Sequence, residues 1–359
     1  MNSFEKKLNE RIENGSLRSL FSFPELTDFY SNDYLGIAKE STEKTVRLSG
    51  STGSRLISGN SKEAIDCENF IQSHFQSEAC LVYNSGYDAN LGIFSSLPQK
   101  GDTILYDQYI HASVRDGIRL SFARSYSFRH NDMEDLEKRL KNATGTVFIA
   151  IEGLYSMDGD LAPVESVINL CEQYNALLIV DEAHSAGIYG EEQKGLTFAP
   201  SFRNRIFIRL ITFGKAFGTH GAAVLCSENV RTFLVNFSRS FIYTTALSPY
   251  QYDHIKECIN RSLSGVKIDL IKDKIKLFRA NLKNSDLISD QYSPIQILLL
   301  PGNENVQKAA LFLQENGVAV KAIMSPTVTE GQERLRICIH SFNTNEEIEK
   351  LTDLIRKIT

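Results

Sequence analysis

Apolar residues along this chain follow two rhythms. Short runs closed by polar or turn residues recur at 103–106, 146–151, 177–180 and 206–212, and they read as buried strands. Between them, 133–140 and 164–174 carry the 3.6-residue spacing of amphipathic helices. Strand and helix in alternation predict a parallel α/β sheet. The residues closing the runs are Asp107, Glu152, Asp181 and the pair Gly214-Lys215. In an open α/β sheet ligands bind beyond the carboxyl ends of the strands, so a site is expected where these residues gather.

The rhythm changes near Pro249. A long helical stretch at 250–278 gives way to apolar runs at 295–300, 318–323 and 335–339, with helical spacing at 305–316 and a last amphipathic helix through Ile348, Leu351, Leu354, Ile355 and Ile358. Thr344 and Glu347 have the spacing of a capping box ahead of that helix. At the other end, Phe4, Leu8 and Ile12 mark a short amphipathic helix. The pattern predicts an N-terminal helical segment at 1–35, a large α/β domain at 36–248 and a small α+β domain at 249–359.

Composition narrows the class. With 359 residues, 42% of them hydrophobic and 23% charged, the chain is globular rather than disordered. Its net charge of −5 (39 − 44) is spread without long like-charge blocks, which argues against nucleic acid or an acidic membrane surface as partner. No apolar run approaches the roughly 20 residues of a membrane-spanning helix, and the charged N-terminus does not read as a secretion signal, so a cytoplasmic protein is expected. Cysteines at 67, 80, 171, 226, 258 and 338 lack paired spacing, which indicates neither a disulfide framework nor a thiolate metal site.

Chemistry is suggested by residues at the strand ends. In IVDEAHSAG a strand ends at Asp181, which can hold a protonated heterocyclic nitrogen, with His184 in reach of the same ligand; Asp181 could instead cap a following helix. In TFGKAFG, Lys215 stands between glycines where desolvation would make it a nucleophile, although a solvated turn lysine has the same sequence. Together, a Schiff-base lysine and a carboxylate for a pyridine nitrogen are what a pyridoxal phosphate site requires. Gly86 and Tyr87 in YNSGYDAN open a helix whose first amides can hold the phosphate. His111 could stack on a flat ring or simply cap a helix, and Ser156 offers a hydroxyl to the cofactor's phenolic oxygen, while Asp158-Gly159-Asp160 reads as a structural turn. Arg334 and Arg336 share one strand face, either as a carboxylate clamp or as a solvated pair.

With these residues in view, the chain resembles the α-oxoamine synthase family of fold-type I pyridoxal phosphate enzymes. The resemblance runs in order through SNDYLG (31–36), GSRLISGN (53–60), NSGYDAN, HAS, HND (130–132), EGLYSMDGD, VDEAH, TFGKAFG, FIYTTALSP (241–249) and RLRI (334–337). It implies a large, mostly parallel-sheet domain, a small C-terminal α+β domain, and a homodimer with shared active sites. It also implies that Lys215 bonds the cofactor and later moves the substrate α-proton, that Asp181 keeps the ring nitrogen charged, and that His111 stacks over the ring. Ser156 and His184 would contact the phenolic oxygen, Gly86 and Tyr87 the phosphate, and Thr212 the phosphate or the lysine. Thr244 or Thr245 would reach the neighbouring subunit's phosphate, Arg336 would clamp the substrate carboxylate, and Arg18, Asn32 and Thr327 would line the substrate entrance. The implied reaction condenses L-alanine with a pimeloyl thioester, with glycine or serine as alternative amino donors. A non-catalytic relative would be expected to lack Lys215.

Overall fold

The computed structural model describes residues 3–13, 49–262, 266–282, 287–325 and 327–358. Two compact units are present: Met1–Gly153 with Ala162–Leu263, and Leu154–Leu161 with Ser264–Thr359.

The first unit contains, in order, α1 (Ser3–Glu13), α2 (Lys62–Phe75), β1 (Ala79–Tyr83), α3 (Gly86–Ser96), β2 (Thr103–Asp107), α4 (Ala112–Arg119), β3 (Arg124–Phe128), α5 (Met133–Leu140), β4 (Val147–Glu152), α6 (Val164–Tyr174), β5 (Leu177–Asp181), α7 (Pro200–Arg203), β6 (Ile208–Thr212), β7 (Ala222–Cys226), α8 (Glu228–Phe237), α9 (Arg239–Ile242) and α10 (Pro249–Ser262). Its strands form one sheet in the order β1-β7-β6-β5-β4-β2-β3. β7 runs antiparallel to both neighbours while the rest are parallel, so the carboxyl ends of β1, β4, β5 and β6 share one edge. Both faces are buried, which is why the strands are apolar runs rather than alternating ones. On one face Leu81, Tyr83, Leu210 and Val224 meet Ile93, Phe233 and Leu234 of α3 and α8. On the other, Cys80, Val82, Ile211 and Leu225 meet Ile71 and Phe75 of α2 and Tyr252 and Ile255 of α10.

That second layer moves the expected boundary. α10 begins at Pro249 but belongs to the first unit, because Tyr252, Ile255 and Ile259 complete the core against α2. The stretch read as one helix is two, α10 and α11, and the units divide between 263 and 264. α1 likewise joins the first unit: Phe4 lies 5.7 Å from the Phe233 ring and is buried with Leu8, whereas Ile12 is exposed.

The GSRLISGN motif is structural. Arg55 donates to both oxygens of Glu68 at 2.8 and 3.1 Å and to Asn60 Oδ1 at 3.0 Å, all three residues being buried. Glu68 Oε1 in turn accepts from the Val82 amide, so this ion pair ties α2 to β1.

The second unit contains α11 (Val266–Asn281), β8 (Ile295–Leu299), α12 (Asn303–Glu315), β9 (Lys321–Ile323), β10 (Arg334–Cys338) and α13 (Asn345–Ile355), its antiparallel sheet ordered β8-β10-β9. The expected capping box closes α13. The Leu154–Leu161 segment returns on itself through a Leu154–Leu161 bridge, with Gly159 at φ +67°. A Cβ at Gly159 would lie 2.3 Å from the Ile295 carbonyl oxygen, so only glycine fits that turn.

Candidate active site

A cavity of about 260 Å³ opens at the shared carboxyl edge of the first unit's sheet. It collects Gly86, Tyr87, His111, Asp181, His184, Thr212 and Lys215, residues from across the unit that the sequence had singled out one motif at a time.

Asp181 is buried at the end of β5. No helix follows it; instead Oδ1 accepts the Ala183 amide at 2.9 Å, turning the chain toward His184. Oδ2 accepts from Asn90 Nδ2 at 2.7 Å. Burial pushes the Asp181 carboxyl above its usual 3.8, against the opposing pull of these two hydrogen bonds and of nearby His111 and Lys215. A desolvated carboxylate so placed is the complement of a cationic ring nitrogen.

Lys215 lies in the connection from β6 to β7, and the aromatic residues around it explain why that connection is rigid. Phe213 and Phe217 are buried with ring centroids 6.0 Å apart, and the Phe213 amide and carbonyl bond Gly221 and Thr219 at 2.9 Å. Lys215 itself is exposed, so the expected desolvation is not its state within this chain.

At the N-terminus of α3, Ser85 Oγ caps the Asp88 amide at 3.1 Å, while the amides of Gly86 and Tyr87 are among the helix's orphan donors. A Cβ on Gly86 would sit 2.5 Å from Thr212 Cγ2, so glycine here lets α3 approach the end of β6. The Tyr87 hydroxyl turns away to donate to Asp116. His111 is both things considered for it: Nδ1 caps α4 by accepting the Ser113 amide at 3.2 Å, and its ring lines the cavity.

Glu152 lines the cavity as its strand-end position led one to expect, while Asn90, Ser113 and His220 are polar lining residues to which the sequence reading gave no role. Asn90 had a usable signal, since it follows Gly86 by four residues on α3 and so shares its helix face. Its buried Oδ1 has no partner among the described residues, and its Nδ2 holds Asp181.

Other expected site residues lie elsewhere. Thr244 Oγ1 and the Thr245 carbonyl accept from Asn84 Nδ2 at 3.2 and 2.8 Å, with Thr245 exposed. Ser156 and Arg336 belong to the second unit, where Arg336 Nε donates to the Ser156 carbonyl at 2.7 Å and Nη1 to Cys338 Sγ at 3.1 Å. Neighbouring Arg334 is buried and paired with Asp158 at 2.6 Å, which makes it structural and leaves Arg336 the more open of the two. Thr327 is exposed in the turn after β9, its amide bonded to the Met324 carbonyl at 2.9 Å. Arg18 and Asn32 lie outside the described residues.

The cavity fits pyridoxal phosphate by its own chemistry: a buried carboxylate, a primary amine, a ring-sized imidazole wall and free helix amides line one space.

Comparison with known proteins points the same way. A family model described as aminotransferase class I and II matches residues 24–355. The chain is 36% identical to the 8-amino-7-oxononanoate synthase of Emericella nidulans, covering 98% of this chain and 94% of that one. Among solved structures, serine palmitoyltransferase from S. paucimobilis matches with a TM-score of 0.83 over 99% of this chain and 96% of that chain, at 24% identity, a likeness of fold. The 8-amino-7-oxononanoate synthase of Francisella tularensis matches with a TM-score of 0.74 at 28% identity, over 93% and 98% of the two chains.

Proposed function

The chain belongs to the class I and II aminotransferase family, in its α-oxoamine synthase branch, and on that footing we propose that it condenses L-alanine with a pimeloyl thioester to form 8-amino-7-oxononanoate, a step of biotin synthesis. Carbon dioxide and the free thiol are the other products. The observation that carries this reading is that Lys215 and Asp181 line the same cavity.

Bound pyridoxal phosphate supplies an aldehyde that links to amines and a cationic ring that withdraws electrons from the adjacent carbon. Lys215 would hold the aldehyde carbon, Asp181 the ring nitrogen, and His111 would pack on the ring. The amides of Gly86 and Tyr87 would hold the phosphate at the positive end of α3, and Thr212 would support the phosphate or the lysine. The resemblance assigns Ser156 and His184 to the phenolic oxygen, Arg336 to the substrate carboxylate and Thr327, Arg18 and Asn32 to the substrate entrance. With alanine bound, the Lys215 amine would take the proton from the alanine Cα and return one to the product carbon. Thr244 or Thr245 would reach the phosphate of a second copy in a homodimer, and Thr245 is exposed.

The test is mass spectrometry of the products made by cofactor-loaded protein from pimeloyl-CoA and equimolar alanine, glycine and serine. A dominant 8-amino-7-oxononanoate product is expected. Pairing of glycine or serine instead would overturn the amino donor, since one methyl or hydroxyl is worth only about 1 to 3 kcal/mol in such a pocket. Lys215→Ala is expected to lose the visible absorbance of the bound cofactor and at least roughly 10²-fold in rate.

A further inference from the structure

Asn90 is almost wholly buried, and its amide nitrogen has two hydrogens and two acceptors: Ser113 Oγ at 3.0 Å and Asp181 Oδ2 at 2.7 Å. Reversing the amide would set two acceptors, Asn90 Oδ1 and Asp181 Oδ2, against each other with no hydrogen between them, so the nitrogen is the atom that faces the carboxylate. Ser113 is buried too, and its Oγ, having received one Asn90 hydrogen, lies 2.8 Å from His111 Nδ1. The Ser113 backbone N–H points at that same ring nitrogen at 3.2 Å. An N–H cannot face another N–H, so Nδ1 carries a lone pair, and the hydroxyl hydrogen of Ser113 is free to point at it as well.

We propose that Asn90 and Ser113 are positioning residues that anchor His111 to Asp181 and fix its neutral ring as the Nε2–H tautomer. The relay runs from Asp181 Oδ2 through Asn90 Nδ2 and Ser113 Oγ to His111 Nδ1. Every hydrogen along it has one acceptor to serve, so the order of hydrogens is determined from the carboxylate outward. With Nδ1 occupied by two donors and Nε2 already protonated, neutral His111 presents a hydrogen-bond donor and no open lone pair. It can therefore shape and polarise its surroundings without competing for the substrate proton, which is left to Lys215. That last consequence rests on the function proposed above; the tautomer does not.

The test is long-range ¹H–¹⁵N NMR of protein labelled with ¹⁵N-histidine, at a pH where the ring is neutral and without cofactor, with the His111 signals identified by their loss in His111→Gln. Wild type is expected to show the Nε2–H pattern, and an Nδ1–H pattern would overturn the proposal whatever the variants do. In Ser113→Ala the Nδ1–H population should rise roughly two- to tenfold, the range that one net hydrogen bond represents, and Ser113→Thr, which keeps the hydroxyl, should restore the wild-type ratio. An unchanged ratio in Ser113→Ala overturns the relay. Visible absorbance of the same wild-type sample after adding pyridoxal phosphate separates the two readings: its absence overturns the cofactor assignment and leaves the tautomer standing.

Discussion

Gly86 is held at glycine by a single methyl group, Cγ2 of Thr212, and that contact can be tested by trading atoms across it. Gly86→Ala places a methyl 2.5 Å from Cγ2 and is expected to cost about 1 to 3 kcal/mol through overpacking, with weaker cofactor binding because the helix start is pushed away. Adding Thr212→Ser, which keeps the hydroxyl and removes Cγ2, should restore most of both losses. Thermal melts and cofactor titrations read the two effects, and a double variant no better than Gly86→Ala would refute the contact. Asp181 makes a pH prediction at the same scale. Its carboxyl is raised above the usual 3.8 by burial, so the folded state binds its proton more tightly than the unfolded state does. The stability this contributes is fully present below 3.8 and is lost as pH rises through the higher folded value. Cofactor-free wild type should lose stability across that window relative to Asp181→Asn when urea unfolding is followed at stepped pH; parallel curves would contradict it.

Among the elements, β5 is fastened by the residue just past its end. Glu182 is fully buried and accepts from the amides of Leu196 and Thr197 at 2.7 and 3.0 Å and from Arg209 Nη2 at 3.3 Å, binding β5, β6 and the 190–197 loop together. Removing it by Glu182→Ala strands the Arg209 charge in the interior, at an expected cost of about 3 to 5 kcal/mol in denaturant unfolding; a loss below 1 kcal/mol would show that the loop simply opens to water. Elements of this unit differ in how plainly the sequence announces them. Helices α5 and α6 match the periodic stretches residue for residue, and β2, β4, β5 and β6 fall within two residues of the apolar runs, because both faces of these strands are covered. β3 is an edge strand in which only Phe128 is buried, so it leaves no apolar run to read. The candidate residues Asp181, Lys215 and His111 stood out because Asp181 closes β5 and the other two lie in the short connections that follow β6 and β2. Asn90 was legible only as a residue sharing the helix face of Gly86; its hydrogen bond to a residue 91 positions away is encoded by no local pattern. The 248 boundary failed for a related reason: α10 is amphipathic whichever core it serves, and only packing against α2 decides.

For the molecule as a whole, the cysteines make one further prediction. Five of the six are buried and Cys338 is partly exposed. Burial pushes the Cys67 and Cys171 thiols up to about 12, so native protein should consume at most one equivalent of a thiol reagent rapidly, against six after unfolding. Rapid native reaction at more than Cys338 would mean that the core opens readily. The division into units also has a temporal side. The Leu154–Leu161 excursion belongs to the second unit, and its Asp158 is paired with Arg334, 176 residues downstream. At roughly 5 to 20 residues per second, a ribosome delivers that arginine about 9 to 35 seconds after the aspartate. During that interval the nascent first unit must carry the excursion without its Arg334 partner, and the ion pair waits for β10 to emerge. A chain stopped anywhere before Arg334 leaves Asp158 without this partner.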